Sequence, residues 1–393
     1  MSASTSGKER AAALLAAVRR GEFPSAELIR EFGENCAGEF FRDVVEPLAD
    51  SFDPAQAAAY DRLMRAWIPE VPAVTPAIPS QVDTVYVLSR VTLGADVKIV
   101  SPVLAAMKAR FPDARIVFVA NRKSAELFEA DSRIKHLNAE YPRTGPVSAR
   151  LDFAHDLRSR LEGENRIVVD PDSRMTQLGL IPVCRPENYF HFPSRTAGSE
   201  SDNLTDLVRQ WLQATFGADA AAYISPRTER ISGDGRHAAV SFGVGENQSK
   251  RIGCDFESRL IDVLGIHYET VWVDRGAGGE EARRVTAAVE ASAVADRVRF
   301  WEGSFAGFAS IISQCDLYAG YDSAGQHAAA ASGVRLISVF AGAPSERFRQ
   351  RWTPAGHRNI VPIAADGMTP EAALKRICNM VEGRLKTEAR GSE

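Results

Sequence analysis

The chain has 393 residues, 45% of them hydrophobic and 25% charged, the proportions of a globular protein and not of a disordered one. At roughly 100–200 residues per domain, that length corresponds to two or three domains. Lys and Arg total 47 against 51 Asp and Glu, a formal net charge of −4, so the chain lacks the basic footprint of a dedicated nucleic-acid binder.

Five cysteines (Cys36, Cys184, Cys254, Cys315 and Cys378) are scattered with no CxxC pair. That speaks against a disulfide framework or a cysteine zinc site, and for a reducing compartment. The first apolar run, AAALLAAV, is followed at once by Arg19 and Arg20, whereas a secretory signal carries its charge before the apolar stretch. No window approaches the roughly 18 uninterrupted apolar residues of a spanning helix. The expectation is a soluble cytoplasmic protein with no transmembrane segment and no nucleic-acid partner.

Residues 8–68 read as helices, with Leu14, Leu15 and Val18, then Leu28, Ile29 and Phe32, then Tyr60, Leu63, Met64 and Trp67 at helical spacing. The segment IPEVPAVTPAIPSQ, 68–81, holds four prolines, which cannot continue a helix, so it reads as a linker or an extended strap. From residue 82 short apolar runs alternate with amphipathic ones. Strands are predicted at 82–90, 114–121 and 165–172, with helices at 97–111 and from 124. A long helix at 202–217 closes the first half. The alternation then restarts, with strands at 237–243, 268–274, 297–303, 315–322 and 334–342 and helices at 256–265, 280–291, 305–314 and 323–332 between them. Buried strands alternating with helices imply parallel sheets. The chain therefore divides into a helical extension (1–80) and two α/β halves (81–215 and 216–393), with a ligand expected in a cleft at the carboxyl ends of the strands.

Four loops carry polar chemistry. FGVGENQSKR, 242–251, joins a strand to a helix; Gly243 and Gly245 permit close backbone approach, and Lys250 and Arg251 place positive charge there. That suits a diphosphate, although it is neither a Walker loop nor a GxGxxG fingerprint; the competing reading is a solvated turn. At YDSAGQH, 321–327, Asp322 ends a strand and Ser323, Ala324 and Gly325 lead into a helix with His327 in its first turns. Free N–H groups there bind phosphate, unless Asp322 or Ser323 simply caps the helix. Asp96, in RVTLGAD after the first strand, is placed either as a general base or as a helix cap. In VVDPDSRMTQLG, 168–179, Asp170, Asp172, Ser173, Arg174 and Gln177 crowd one loop, which suits a polyhydroxyl acceptor or a solvated turn around Pro171. His191, among aromatics, reads as a packed histidine. No HExxH or GxSxG motif occurs, and no metal site is expected.

Together these elements resemble the family 9 glycosyltransferases, the ADP-heptose heptosyltransferases of GT-B fold. Asp96-Val97 followed by Pro102 and Leu104 matches the family's D-V-x-x-x-x-P-x-L element. Lys250-Arg251-Ile252-Gly253 stands where the family has K-[RH]-W-P, and Asp322 to His327 where it has D-T-G-x-x-H. Three departures are visible: Ala95 separates Gly94 from Asp96, Ser323-Ala324-Gly325 replaces Thr-Gly, and Ile252-Gly253 replaces Trp-Pro. The likeness spans 82–365 and leaves out the helical extension. It implies two Rossmann-like domains facing across a cleft and an inverting, metal-independent transfer with a nucleotide-sugar co-substrate, ADP-linked, and no cofactor. Asp96 would be the general base, and Lys250 with the helix start at 323–327 would neutralise the leaving diphosphate. Glu280 or Glu281 falls where the family holds the donor's ribose, and Asp170, Asp172, Ser173, Arg174 and Gln177 fall on the acceptor side. The net acidic chain favours a soluble small-molecule, natural-product or nucleotide acceptor over a glycan at a membrane. The alternatives are a lipopolysaccharide-core heptosyltransferase acting at the membrane, a nucleotide-sugar epimerase or hydrolase, and a non-catalytic sugar-nucleotide-binding protein.

Overall fold

The computed structural model describes residues 6–199, 202–231, 235–245, 247–276, 278–356 and 360–391. Glu246, in the 242–251 loop, and Ala277, ahead of the helix with Glu280 and Glu281, lie outside the described residues. Two parallel sheets organise the chain. The first holds β1 (Thr84–Leu88), β2 (Arg115–Ala120), β3 (Ile134–Asn138), β4 (Arg166–Asp170) and β5 (Tyr189–His191), in the order β3-β2-β1-β4-β5. The second holds β6 (His237–Ser241), β7 (Thr270–Asp274), β8 (Val298–Trp301), β9 (Leu317–Tyr321), β10 (Arg335–Phe340) and β11 (Ile360–Ala364), in the order β11-β10-β9-β6-β7-β8. Each sheet starts in its middle, runs to one edge, then returns to build the other side. This is the doubly wound order, and it creates a switch point between β1 and β4 in one sheet and between β6 and β9 in the other.

The strands read as continuous apolar runs because helices cover both sheet faces. In β6 and β9 all five residues are buried. The strands that sequence patterning missed are edges. β3 is IKHLN with an exposed Lys135 and His136, β5 has three residues, and β11 carries Pro362, a residue tolerated at a sheet edge. The helices Val147–Leu161, Glu346–Trp352 and Pro370–Gly391 also went unread.

The chain forms two compact units. Unit 1 is Met1–Ala125, Ser132–Ala221 and Pro344–Trp352; unit 2 is Glu126–Asp131, Ala222–Ala343 and Thr353–Glu393. The boundary thus falls at 221/222 rather than 215/216, with two short segments exchanged. The amino-terminal helices are part of unit 1. Ala11, Leu14, Val18, Ile29, Phe32, Phe40, Tyr60, Leu63 and Met64 share one core with Val147, Leu178 and Leu180 of the α/β body. Their starts are set by Ser6, Ser25 and Asp53, each accepting an N–H of the first turn, the ordinary N-cap chemistry. Leu28 departs from the expected face and is 55% exposed. The proline-rich 69–80 forms neither helix nor strand; it is a strap whose Ala77 N–H donates to the Glu187 carbonyl at 3.0 Å. All five cysteines are free.

Candidate functional site

In unit 2 the switch point brings two of the predicted loops together. Lys250 ends the loop after β6, and Asp322 follows β9, the neighbouring strand. The Lys250 ammonium donates to Asp322 Oδ2 at 2.8 Å and to the Asp322 carbonyl at 3.1 Å. Both side chains are largely buried, 19% and 9% exposed, so they hold each other in a fixed geometry. The other carboxylate oxygen accepts from the Gln326 amide, whose own oxygen accepts from the Ser338 hydroxyl. Gln326 is the residue that sequence reading passed over; its place beside His327 in the motif was the available signal.

This arrangement removes the expected helix cap. Asp322 is committed to Lys250 and Gln326, and the Ser323 hydroxyl makes no cap hydrogen bond to the helix Ala324–Ala331. The N-cap side chain thus leaves the helix start uncapped, and the N–H groups there carry the positive end of the helix dipole. Gly325 is required by packing: a Cβ there would stand 2.2 Å from the Tyr318 hydroxyl, which is itself buried. His327 is 5% exposed, one helical position from Gln326 and 3.3 Å from its amide nitrogen.

The remaining donor-side candidates separate. Glu281 lies over the loop after β6, where a Cβ on Gly243 would fall 2.9 Å from its Oε1. Gly245 adopts φ +61, a conformation glycine takes freely. Asp274, at the end of β7, has its carboxyl raised by burial, against the Gly276 N–H that favours the charged form and with Glu281 adding to the rise. Arg251 ties the loop to the next helix, its Nε donating to the Gln248 side chain at 3.0 Å and its Nη1 pairing with Glu257 at 2.6 Å. Glu280 is exposed and pairs with Arg284. Of the two glutamates, only Glu281 faces this loop.

In unit 1 the corresponding switch point holds Asp96. The helix begun at Leu93–Ala95 widens into a π-turn, Asp96–Val100, in which the Ser101 N–H reaches back five residues to the Asp96 carbonyl. Such π-turns are rare and occur mostly as single turns within helices. Asp96 is fully buried and lies inside the helical run, whose N-cap is Thr92, so the cap reading does not hold. Its carboxylate accepts from the Ser89 hydroxyl at 2.7 Å and the Arg90 N–H at 2.8 Å. Burial pushes its carboxyl up to about 6, against the Ser124 and Ser89 hydroxyls and the Arg90 N–H, which favour the charged form.

The 170–177 loop corrects both earlier readings of it, because it is neither a solvated turn nor an open acceptor face. Asp170, Asp172 and Ser173 are 0% exposed and Gln177 is 2%. Asp170 accepts from the Ser173 N–H and Thr176 hydroxyl, each at 2.6 Å, and from the Tyr189 hydroxyl. Asp172 accepts from Ser194 at 2.7 Å and His191 at 3.2 Å, with Arg195 3.5 Å away. Burial pushes the Asp172 carboxyl up, but Arg195, His191 and Arg90 together hold it well below the usual range. Arg174 turns to Glu46 and Asp50 of the amino-terminal helices. Gln177 donates to the Tyr141 hydroxyl at 3.1 Å. These five side chains serve the interior of unit 1, and His191, read as merely packed, is a quarter exposed and hydrogen-bonded to a carboxylate.

No family model and no curated protein sequence matches the chain. Its fold is that of the GT-B glycosyltransferases, as solved structures show. A family 9 glycosyl transferase from Veillonella parvula superposes with TM-score 0.54 at 16% identity, over 72% of this chain and 86% of that one. The E. coli heptosyltransferase WaaC, solved with ADP-2-deoxy-2-fluoro heptose, gives TM-score 0.55 at 15% identity, over 77% and 99%. The E. coli ADP-heptose lipopolysaccharide heptosyltransferase II gives 0.54 at 14%, over 78% and 99%. Among the described residues no helix is long and apolar enough to cross a membrane.

Proposed function

We propose that the chain is an inverting glycosyltransferase of the family 9 type. It moves a sugar from a nucleoside diphosphate, ADP-heptose first among the candidate donors, to a soluble small-molecule acceptor without a bound metal. The observation that carries this reading is the Lys250–Asp322 pair beside an uncapped helix start at the switch point of unit 2. An ammonium with a donor to spare, together with a helix start that its N-cap side chain leaves uncapped, is suited to a diphosphate.

The acceptor hydroxyl attacks the anomeric carbon while Asp96 takes its proton, and the bond from that carbon to the diphosphate oxygen breaks with its electron pair. Negative charge grows on the departing phosphate, where Lys250 and the helix N–H groups oppose it. A carboxyl near 6 is charged at neutral pH yet basic enough to accept a proton. Glu281 is the candidate for the donor's ribose. The net charge of −4 supports a soluble acceptor over an anionic membrane.

Thermal shift with ADP-, GDP-, UDP- and dTDP-sugars tests the donor. ADP-linked sugars should stabilise the protein, and Lys250→Gln, which keeps a hydrogen-bond donor for Asp322, should weaken their binding about tenfold or more. A shift with another base and none with ADP moves the donor assignment. No shift with any of them overturns the reading.

A further inference from the structure

A cavity of about 370 Å³ opens in unit 1 against the proline-rich strap, lined by Val71, Pro72 and Val74 of the strap and by Leu180, Tyr189 and His191. The volume lies in the range that holds a small organic molecule. Val71 and Val74 are 39% and 47% exposed, an unusual placement for valines. Most of its lining residues are apolar in type, while polar atoms make up about half of its wall. Its two groups able to carry positive charge are the His191 imidazole and Arg65, which also lines the cavity and gives one of its N–H groups to the Pro69 carbonyl at 2.8 Å. Burial disfavours the charged imidazole and Asp172 favours it, with a net upward shift.

The imidazole is held in place from three sides. Asp172 accepts from Nε2 at 3.2 Å, and the Tyr189 ring lies parallel to it within 7°. Gly179, at φ +86, leaves room for the ring, since a Cβ there would fall 2.4 Å from it. The carboxylates of Asp170 and Asp172 are 0% exposed and satisfied from within. The cavity therefore combines the Arg65 guanidinium and the His191 imidazole with apolar side chains of the strap, while the aspartates' negative charge is turned inward.

The cavity is also wired to Asp96. Ser194 donates to Asp172 and accepts from Arg90, each at 2.7 Å, and the Arg90 N–H donates to Asp96. β5, β4 and β1 deliver these residues at the carboxyl end of one sheet, the edge where such folds bind ligands.

We infer that the strap cavity binds a small organic acid with an apolar body, its carboxylate on His191 and Arg65 and its body against Val71, Val74 and Leu180. Such an acid that also carries a free hydroxyl is the acceptor class of the transferase, an assignment that rests on the reading above, whereas binding itself does not. Saturation-transfer NMR on the full-length protein tests it with benzoate, phenylacetate and hexanoate against benzamide, phenylacetamide and hexanamide. The acids should bind more tightly than their amides. His191→Gln should weaken the acids about tenfold and leave the amides unchanged. Ala73→Phe, at an exposed strap position lining the cavity, should abolish binding of both. Acids that fail to bind, that bind no better than amides, or that survive Ala73→Phe overturn the inference. ADP, measured in parallel by thermal shift, separates the two readings: acids binding without ADP overturns the donor site alone, and ADP binding without acids overturns this cavity alone.

Discussion

At the scale of single residues, Asp96 carries the sharpest consequence. As a base it works only when deprotonated, so turnover should rise with pH along a limb centred near 6 and fall about tenfold per unit below it. Asp96→Asn should flatten that limb and lower turnover about 10²–10⁴-fold while donor affinity is kept. A rate profile that keeps its acid limb in Asp96→Asn would remove Asp96 from the chemistry. The same burial has a stability cost. The folded carboxyl near 6 lies above the unfolded value of about 3.9. The native state therefore holds its proton more tightly, and stability declines as pH rises from about 4 to about 6. Keeping the charge at neutral pH costs about 3 kcal/mol, so the Asn variant should melt no lower than the native chain at pH 7. Gly325 is a packing counterpart. Gly325→Ala would drive a methyl toward the Tyr318 hydroxyl and should cost about 1–3 kcal/mol. Combining it with Tyr318→Phe should recover part of that loss in a urea-unfolding cycle, and strict additivity would show that the contact is not responsible.

At the scale of elements, the helix Glu346–Trp352 shows how a late segment completes an early loop. Arg351, 1% exposed, donates to the carbonyls of Ser194, Ala197 and Ser199 at 3.1, 2.7 and 3.0 Å. Arg351→Met would leave all three without that donor and should cost about 1–3 kcal/mol for each carbonyl left unpaired, read as a lower denaturant midpoint; an unchanged midpoint would mean that water replaces it. What the sequence disclosed follows the range of the interaction. β6 and β9 were legible because burial on both faces writes a continuous apolar run. Lys250 and Asp322 were legible because each sits beside a strand end within a short motif. The edges β3, β5 and β11 carry little apolar signal and were missed. The 170–177 loop was misread because its partners, Tyr189, His191, Ser194 and Arg195, come from a different strand and turn. No local pattern records that an aspartate will meet an arginine 23 positions later.

At the scale of the molecule, the amino-terminal helices belong to the α/β body. Their core residues share one cluster with Val147, Leu178 and Leu180, and Arg174 and Arg195 reach Glu46 and Asp61 across the same contact. A chain begun at residue 81 would expose that cluster to water, and it should express insolubly or unfold below the melting temperature of the full chain. A soluble, cooperatively melting truncation would show the helices to be an accessory.

Neither unit is continuous in sequence, and that sets an order of events during synthesis. Ser194 leaves the ribosome 157 residues before Arg351. At about 5–20 residues per second, the loop that anchors Asp172 waits on the order of 10–30 s for its last donor. Unit 1 emerges first and is finished late, after most of unit 2 has been made. Its nascent form is thus the stage at which the chain has most to gain from a chaperone that holds unfinished apolar surface.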